Sequence, residues 1–179
     1  YLAELNERTF LIVELGLQTV HEKTANIINR AHDYACYVEG VEKLRKHGIH
    51  VVSHIINGLP LETPDMMLET AKEVAKLDVQ GIKIHLLHLL RKTAMVKQYE
   101  QGLVQLMEFD DYVNLVVDQL EILPPEMVIH RLTGDGPPDS LIGPKWSTKK
   151  WEVLNAIEEE LERRDSWQGK YYNKRAVAQ

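Results

Sequence analysis

Glu14 and Gln18 stand four residues apart in Glu14-Leu15-Gly16-Leu17-Gln18-Thr19, at the end of an apolar run. If the strand continues that far, side-chain alternation points both toward the same face. An inward carboxylate and carboxamide need partners or water, and a ligand rich in hydroxyl and amine groups would satisfy them. The stretch from His21 to His32 reads as a short helix that delivers Arg30 and His32 to the turn after it. His54 lies in a second apolar run, which ends in Asn57-Gly58-Leu59-Pro60-Leu61-Glu62-Thr63. Glycine at 58 lets backbone approach a ligand closely, and the helix start at Thr63-Pro64 offers unpaired amides. His85, His88 and His130 lie on or just after later apolar runs.

The elements that must position these residues alternate in type. Four apolar runs predict strands: Phe10 to Leu15, Ile49 to Ile56, Gly81 to Leu87 and Met127 to Leu132. Helical patterns lie between them. One from about Tyr37 to His47 places Val38, Val41 and Leu44 on one face and stops at Gly48. Another starts with Thr63 as N-cap and Pro64 in the first helical position. A third follows Asp110 and ends before Pro124-Pro125. Parallel neighbours need such crossovers, so the class is α/β. Four strands are about half of an eight-stranded barrel, which leaves an open sheet or a half-barrel. A Gly/Pro-rich loop begins at Thr133, and Ser147 is expected to cap a last helix whose apolar face is Trp151, Leu154, Ile157 and Leu161. The division predicted is therefore residues 1–132, a loop 133–146, and a C-terminal helix and tail 147–179.

Composition narrows the classes. With 44% hydrophobic and 27% charged residues, the 179-residue chain can bury a core and is not a disordered tail. No long uncharged apolar stretch or signal-peptide layout is present, which predicts a cytoplasmic protein with no membrane partner. The net charge of −6 disfavours nonspecific nucleic-acid binding by the chain as a whole, although residues 145–179 carry eight Lys/Arg against six Asp/Glu. The single cysteine, Cys36, reads as a packing residue; it permits no intrachain disulfide and no complete iron-sulfur ligand set.

Three segments in this order, Glu14-Leu15-Gly16-Leu17-Gln18-Thr19, Arg30-Ala31-His32 and Ile56-Asn57-Gly58-Leu59-Pro60-Leu61-Glu62-Thr63, resemble the fourth-strand to fifth-strand region of radical S-adenosylmethionine (SAM) enzymes. Ile84-His85-Leu86-Leu87-His88, Val128-Ile129-His130-Arg131-Leu132-Thr133-Gly134-Asp135, Leu154-Asn155-Ala156-Ile157 and Trp167-Gln168-Gly169 look like a bacterial family of iron-sulfur oxidoreductases similar to the elongator catalytic subunit. The resemblance covers nearly the whole chain and implies the C-terminal half of a radical SAM barrel. The part with Cys-x-x-x-Cys-x-x-Cys would precede Tyr1, an expectation that agrees with a start lacking methionine.

The resemblance implies an enzyme that reductively cleaves SAM with a [4Fe-4S] cluster for hydrogen abstraction, with a tRNA base as the first candidate substrate. Gln18 would bind the polar end of SAM. Arg30 would pair with its carboxylate through a planar fork of donors. Glu14 would accept from ribose hydroxyls or hold Arg30. His54 falls where related enzymes have a ribose-binding aspartate, and backbone near Ile84 and His85 would flank adenine. These residues alone would be catalytically silent, and the first strand would be an edge open to self-association.

Two other readings compete. A metal-dependent barrel hydrolase would use His54, His85, His88 and His130 as ligands and Asp135 to activate water, although His85 and His88 on one strand would point to opposite faces. A noncatalytic module would bind RNA or a protein through the C-terminal basic and aromatic residues, among them Lys149, Lys150, Trp151, Arg163, Arg164, Trp167, Lys170 and Tyr171.

Overall fold

Residues 1–134 and 136–173 are described by the computed structural model. Their order is α1 (Leu2–Asn6), β1 (Ile12–Gln18), α2 (Glu22–Ile27), α3 (Tyr34–Lys46), β2 (His50–Asn57), α4 (Pro64–Lys76), β3 (Gly81–Leu86), β4 (Leu89–Leu90), α5 (Met95–Glu100), α6 (Phe109–Ile122), β5 (Val128–Arg131), β6 (Leu141–Gly143) and α7 (Lys150–Arg163). β1, β2, β3 and β5 form one parallel sheet in that order, with β1 and β5 at its edges. β4 and β6 pair as a short antiparallel ribbon. The class is α/β, and the main sheet is open.

Local chemistry sets the helix boundaries. The Asp33 carboxylate accepts from Cys36 N at 2.7 Å and caps α3, which begins earlier than its apolar periodicity predicts. The helix ends before Gly48, whose φ of +68° is the left-handed turn that glycine adopts without a Cβ penalty. Thr63 caps α4 as expected, with Pro64 in its first turn. Ser147 does not cap α7: its hydroxyl donates to Pro144 O within a 3-10 turn, and α7 starts three residues later. Cys36 is exposed rather than packed.

The core lies between one face of the sheet and the helices. Leu17, Val51, Ile55, Ile82 and Ile84 meet Tyr37, Val41, Ala71, Val74, Tyr112 and Val116. α7 adds Val153 and Ile157, while Trp151, expected on its packing face, is 76% exposed. β1 starts two residues later than predicted because Phe10 and Leu11 precede the paired register, and it continues through Gln18.

Two polar contacts inside the core hold β2, one at its middle and one at its end. The Tyr37 hydroxyl and Ser53 Oγ are 2.8 Å apart. The Asn57 and Gln119 amides exchange two hydrogen bonds of 2.9 Å, and Gln119 also donates to Met67 O. This joins β2, α4 and α6 where the sheet's loops begin. Gln119→Leu strands the buried Asn57 amide, so urea unfolding should show a loss of about 2 kcal/mol.

Candidate functional site

The face of the sheet turned away from the core is charged. Register sets Gly16 beside His54, His54 beside Lys83, Ile56 beside His85 and Lys83 beside Arg131. Alternation therefore puts Glu14, His54, Lys83 and His85 on one side, and a register shift between β3 and β5 sets Arg131 beside Lys83, where its charge reaches His54 and His85. Both oxygens of Glu14 lie 2.6 Å from Lys83 Nζ, and Oε2 lies 2.8 Å from His54 Nε2. One carboxylate thus joins β1, β2 and β3.

Each titratable group responds to that arrangement. The hydrogen bond from Lys83 holds the Glu14 carboxyl below its ordinary range. Burial pushes His54 toward the neutral form, against the pull of Glu14. The His85 ring lies 5.1 Å from that of His54. Burial first, then the positive neighbours His54, Arg131 and Lys83, push His85 down to about 4. Its Nε2 is buried and has no hydrogen-bond partner among the described residues.

The end of β1 is shaped differently. Gln18 has a φ of +61°, uncommon for a side-chain-bearing residue, and the register slips between Gly16 and Gln18. The Gln18 carboxamide folds back over Gly16, into the space a Cβ there would take. Thr19 Oγ1 donates to Glu62 Oε1 at 2.5 Å, and burial raises the Glu62 carboxyl. That bond ties the loop after β1 to the loop after β2.

Arg30 is built into the same loop. Nη1 donates to Leu17 O at 2.8 Å and Thr19 O at 2.5 Å, and Nε donates to His32 O. Nη2 pairs with Glu22 at 3.1 Å, and the Arg30 side chain is 3% exposed. The expectation that Glu14 might hold Arg30 is corrected: Glu22 is the carboxylate on Arg30, and Glu14 belongs to Lys83 and His54.

The structure thus brings Glu14 and His54 together and sets Gln18 farther along the same edge strand. Arg30 lies behind that strand end, bonded to its carbonyls. Sequence reasoning missed Lys83, Arg131, Glu22 and the Thr19–Glu62 bond. Lys83 and His85 were detectable, because two polar residues alternate inside the apolar run of a central strand. The partners of Arg30 left no comparable signal.

The histidines do not assemble as the metal reading requires. His85 and His88 converge instead of diverging: a Cβ at Gly134 would lie 3.1 Å from His88 Cε1 and 3.8 Å from His85 Nδ1. β3 ends at Leu86, so strand alternation no longer governs His88. Among the described residues no three His, Cys, Asp or Glu side chains form a group that could hold a metal ion. Asp135 lies outside the described residues.

Two other surfaces stand apart from this face. A cavity of about 780 Å³ is lined by Leu59, Leu61, Met67, Leu106, Met107 and Asp118 among others, and by none of the charged residues on the sheet. On α7 the expected basic surface is largely neutralised, since Lys149 pairs with Glu152, Arg163 with Glu160, and Arg164 with Asp118 and Glu160. Trp151, Trp167 and Tyr171 are exposed, and Lys170 Nζ lies 5.2 Å from the centre of the Trp167 ring. Among the described residues no helix is long and apolar enough to cross a membrane.

Residues 1–74 match the family model of the Radical SAM superfamily, and residues 79–163 match that of the Radical_SAM C-terminal domain. The chain is 72% identical over 174 residues to the uncharacterized protein YtqA of Bacillus subtilis, which covers 97% of this chain and 54% of that protein. It is 38% identical over 149 residues to protein YhcC of Escherichia coli, covering 83% and 48%. Elongator complex protein 3 of Homo sapiens is 27% identical over 128 residues, covering 70% and 23%. The solved structure of archaeal Methanocaldococcus infernus Elp3 with an N-terminal deletion shares the fold, with a TM-score of 0.80, 15% identity, and coverage of 93% of this chain and 39% of that one. The chain spans about half the length of the YtqA and YhcC relatives.

The His85 shift has a definite sign. Its folded pKa is depressed from 6.5 to about 4, so the unfolded chain takes up the proton first as pH falls. Stability from this site is full above pH 6.5, declines as pH falls toward about 4 and levels off below it. In chemical denaturation at a series of pH values, His85→Phe should flatten that acid-side loss; an unchanged pH slope would contradict the shift.

Proposed function

The chain belongs to the radical SAM superfamily, among its elongator-like members, and we propose on that premise that the protein containing it is a SAM-cleaving enzyme. The observation that carries the reading is the end of β1, where Gln18 holds a left-handed backbone and its amide occupies the space left by Gly16. Strain of this kind in a non-glycine residue persists where the surroundings over-determine it, commonly at ligand clamps. The polar face beside it suits SAM, which is rich in hydroxyl, amine and carboxylate groups. In the longer protein a [4Fe-4S] cluster would supply the electron for reductive cleavage of SAM, the chemistry that would lead to hydrogen abstraction from substrate.

The residues of this chain position and exclude. Gln18 hydrogen-bonds the polar end of SAM. Arg30 fixes the carbonyls of Leu17 and Thr19, and so the presentation of Gln18, while its Nη2 edge already holds a carboxylate and marks where that of SAM can compete with Glu22. Neutral His54 can take one ribose hydroxyl, and Glu14 accepts from another while keeping Lys83. Backbone at Ile84 and His85 flanks adenine. The cluster does not fit these 179 residues: Cys36 is their one cysteine and is exposed on α3. Its ligands are proposed to belong to another part of the longer protein.

The proposed substrate is a tRNA base, and the proposed location is the cytoplasm. Contact with tRNA through the C-terminal extension rests on exposed Trp167 and Tyr171, with half-buried Lys170 over their rings, because Lys149, Arg163 and Arg164 are already paired. The full-length protein, reconstituted anaerobically with iron and sulfide and given dithionite and SAM, should form 5′-deoxyadenosine and methionine. Gln18→Leu should lower the yield roughly tenfold or more at limiting SAM, by loss of a hydrogen bond to a charged group. A fully reconstituted protein that leaves SAM intact would overturn the reading.

A further inference from the structure

Arg131 is unlike the other partly buried arginines. Arg30 holds Glu22, Arg45 holds Asp78 and Arg164 holds Asp118. Arg131, at the end of β5 and partly buried, makes no ion pair with a carboxylate among the described residues. It stands beside Lys83 in the register, and both oxygens of Glu14, the carboxylate on this face, are committed to Lys83. Among the described residues two fixed positive charges therefore face one negative charge on this face, and a partly buried guanidinium without a counter-ion is costly.

His85 adds a second unmet need. Its Nε2 is buried without a hydrogen-bond partner among the described residues, and its ring feels the charge of Arg131. A neutral imidazole carrying its proton on Nε2 donates one hydrogen bond, and the planar guanidinium donates two in parallel. The loop after β5 comes down beside this site, where a Cβ at Gly134 would press on His88 and reach van der Waals contact with His85.

We propose that the sheet face between His85 and Arg131 binds an anionic oxygen group of the substrate, a phosphate or a carboxylate. An acceptor there satisfies Nε2 and neutralises Arg131 at once. Lys83 adds longer-range attraction without leaving Glu14. The position is on β3 and β5, across the sheet from Gln18 on β1, so substrate and the polar end of SAM occupy separate places. Assignment of the anion to the substrate rests on the radical SAM reading; the anion site itself does not.

The test is side-chain NMR of the histidines in the full-length protein, titrated separately with inorganic phosphate, acetate and SAM. Phosphate or acetate should move the His85 ring signals and raise its pKa, and whichever binds more tightly names the group. Arg131→Gln should weaken that binding roughly tenfold or more, while Arg163→Gln, on the exposed side of α7, leaves it unchanged. If Arg131→Gln does not fold, the wild-type His85 titration decides alone. His85 signals unmoved by both anions, or an Arg131→Gln protein that binds them as wild type does, would overturn the site. Movement of His85 by SAM with the same dependence on Arg131 would assign the anion to SAM and overturn the substrate assignment. Failure of SAM to bind at all, with phosphate or acetate still bound, would count against the enzyme reading and leave the anion site standing.

Discussion

A carboxylate that reaches across three strands lets the sheet carry charge on one face. Glu14 neutralises Lys83 and meets His54, so side chains from β1, β2 and β3 are coupled although the chain between Glu14 and Lys83 includes two helices of the core layer. The opposite face is bound by a different requirement. There Val51, Ile55, Ile82 and Ile84 must be covered by α3, α4 and α6, and their burial supplies the folding force. Alternation along each strand makes the two requirements compatible. What the core needs at odd positions of β2 is independent of what the polar face needs at even ones.

The loops that begin where the strands end are held by bonds of their own. Thr19 and Glu62 connect the first two, Asn57 and Gln119 anchor the second to α6, and Arg30 gathers three carbonyls around the first. Such redundancy can hold Gln18 in a left-handed conformation that an unsupported loop would abandon. The site is consequently assembled on rigid strands and braced loops, which favours precise placement of a ligand over adaptation to many.

Much of the fold was legible because its signals are local. The apolar runs of β2 and β3, the Thr63-Pro64 helix start and the glycine at 48 each declare themselves within a few residues. Edges and tertiary choices were not. β1 is paired on one side, so Phe10 and Ile12 stay exposed and hydrophobicity alone misplaces its start. Trp151 fits a helical stripe, but the face of α7 is chosen by where Val153 and Ile157 meet the core. Within the site, spacing gave Glu14 its face, while the register slip and left-handed turn at Gln18 lie beyond what alternation describes. The Lys83–Glu14 pair, 69 residues apart, and the turn of Arg30 toward Glu22 depend on the folded chain.

The proposed position of SAM lies across the polar face at the ends of β1 and β2. Hydrogen–deuterium exchange of the reconstituted full-length protein, with and without SAM, tests this directly. SAM should slow exchange in residues 14–19 and 54–57 and leave the segment 105–118 beside the large cavity unchanged. Protection confined to that segment, with the strand ends exchanging as before, would contradict it.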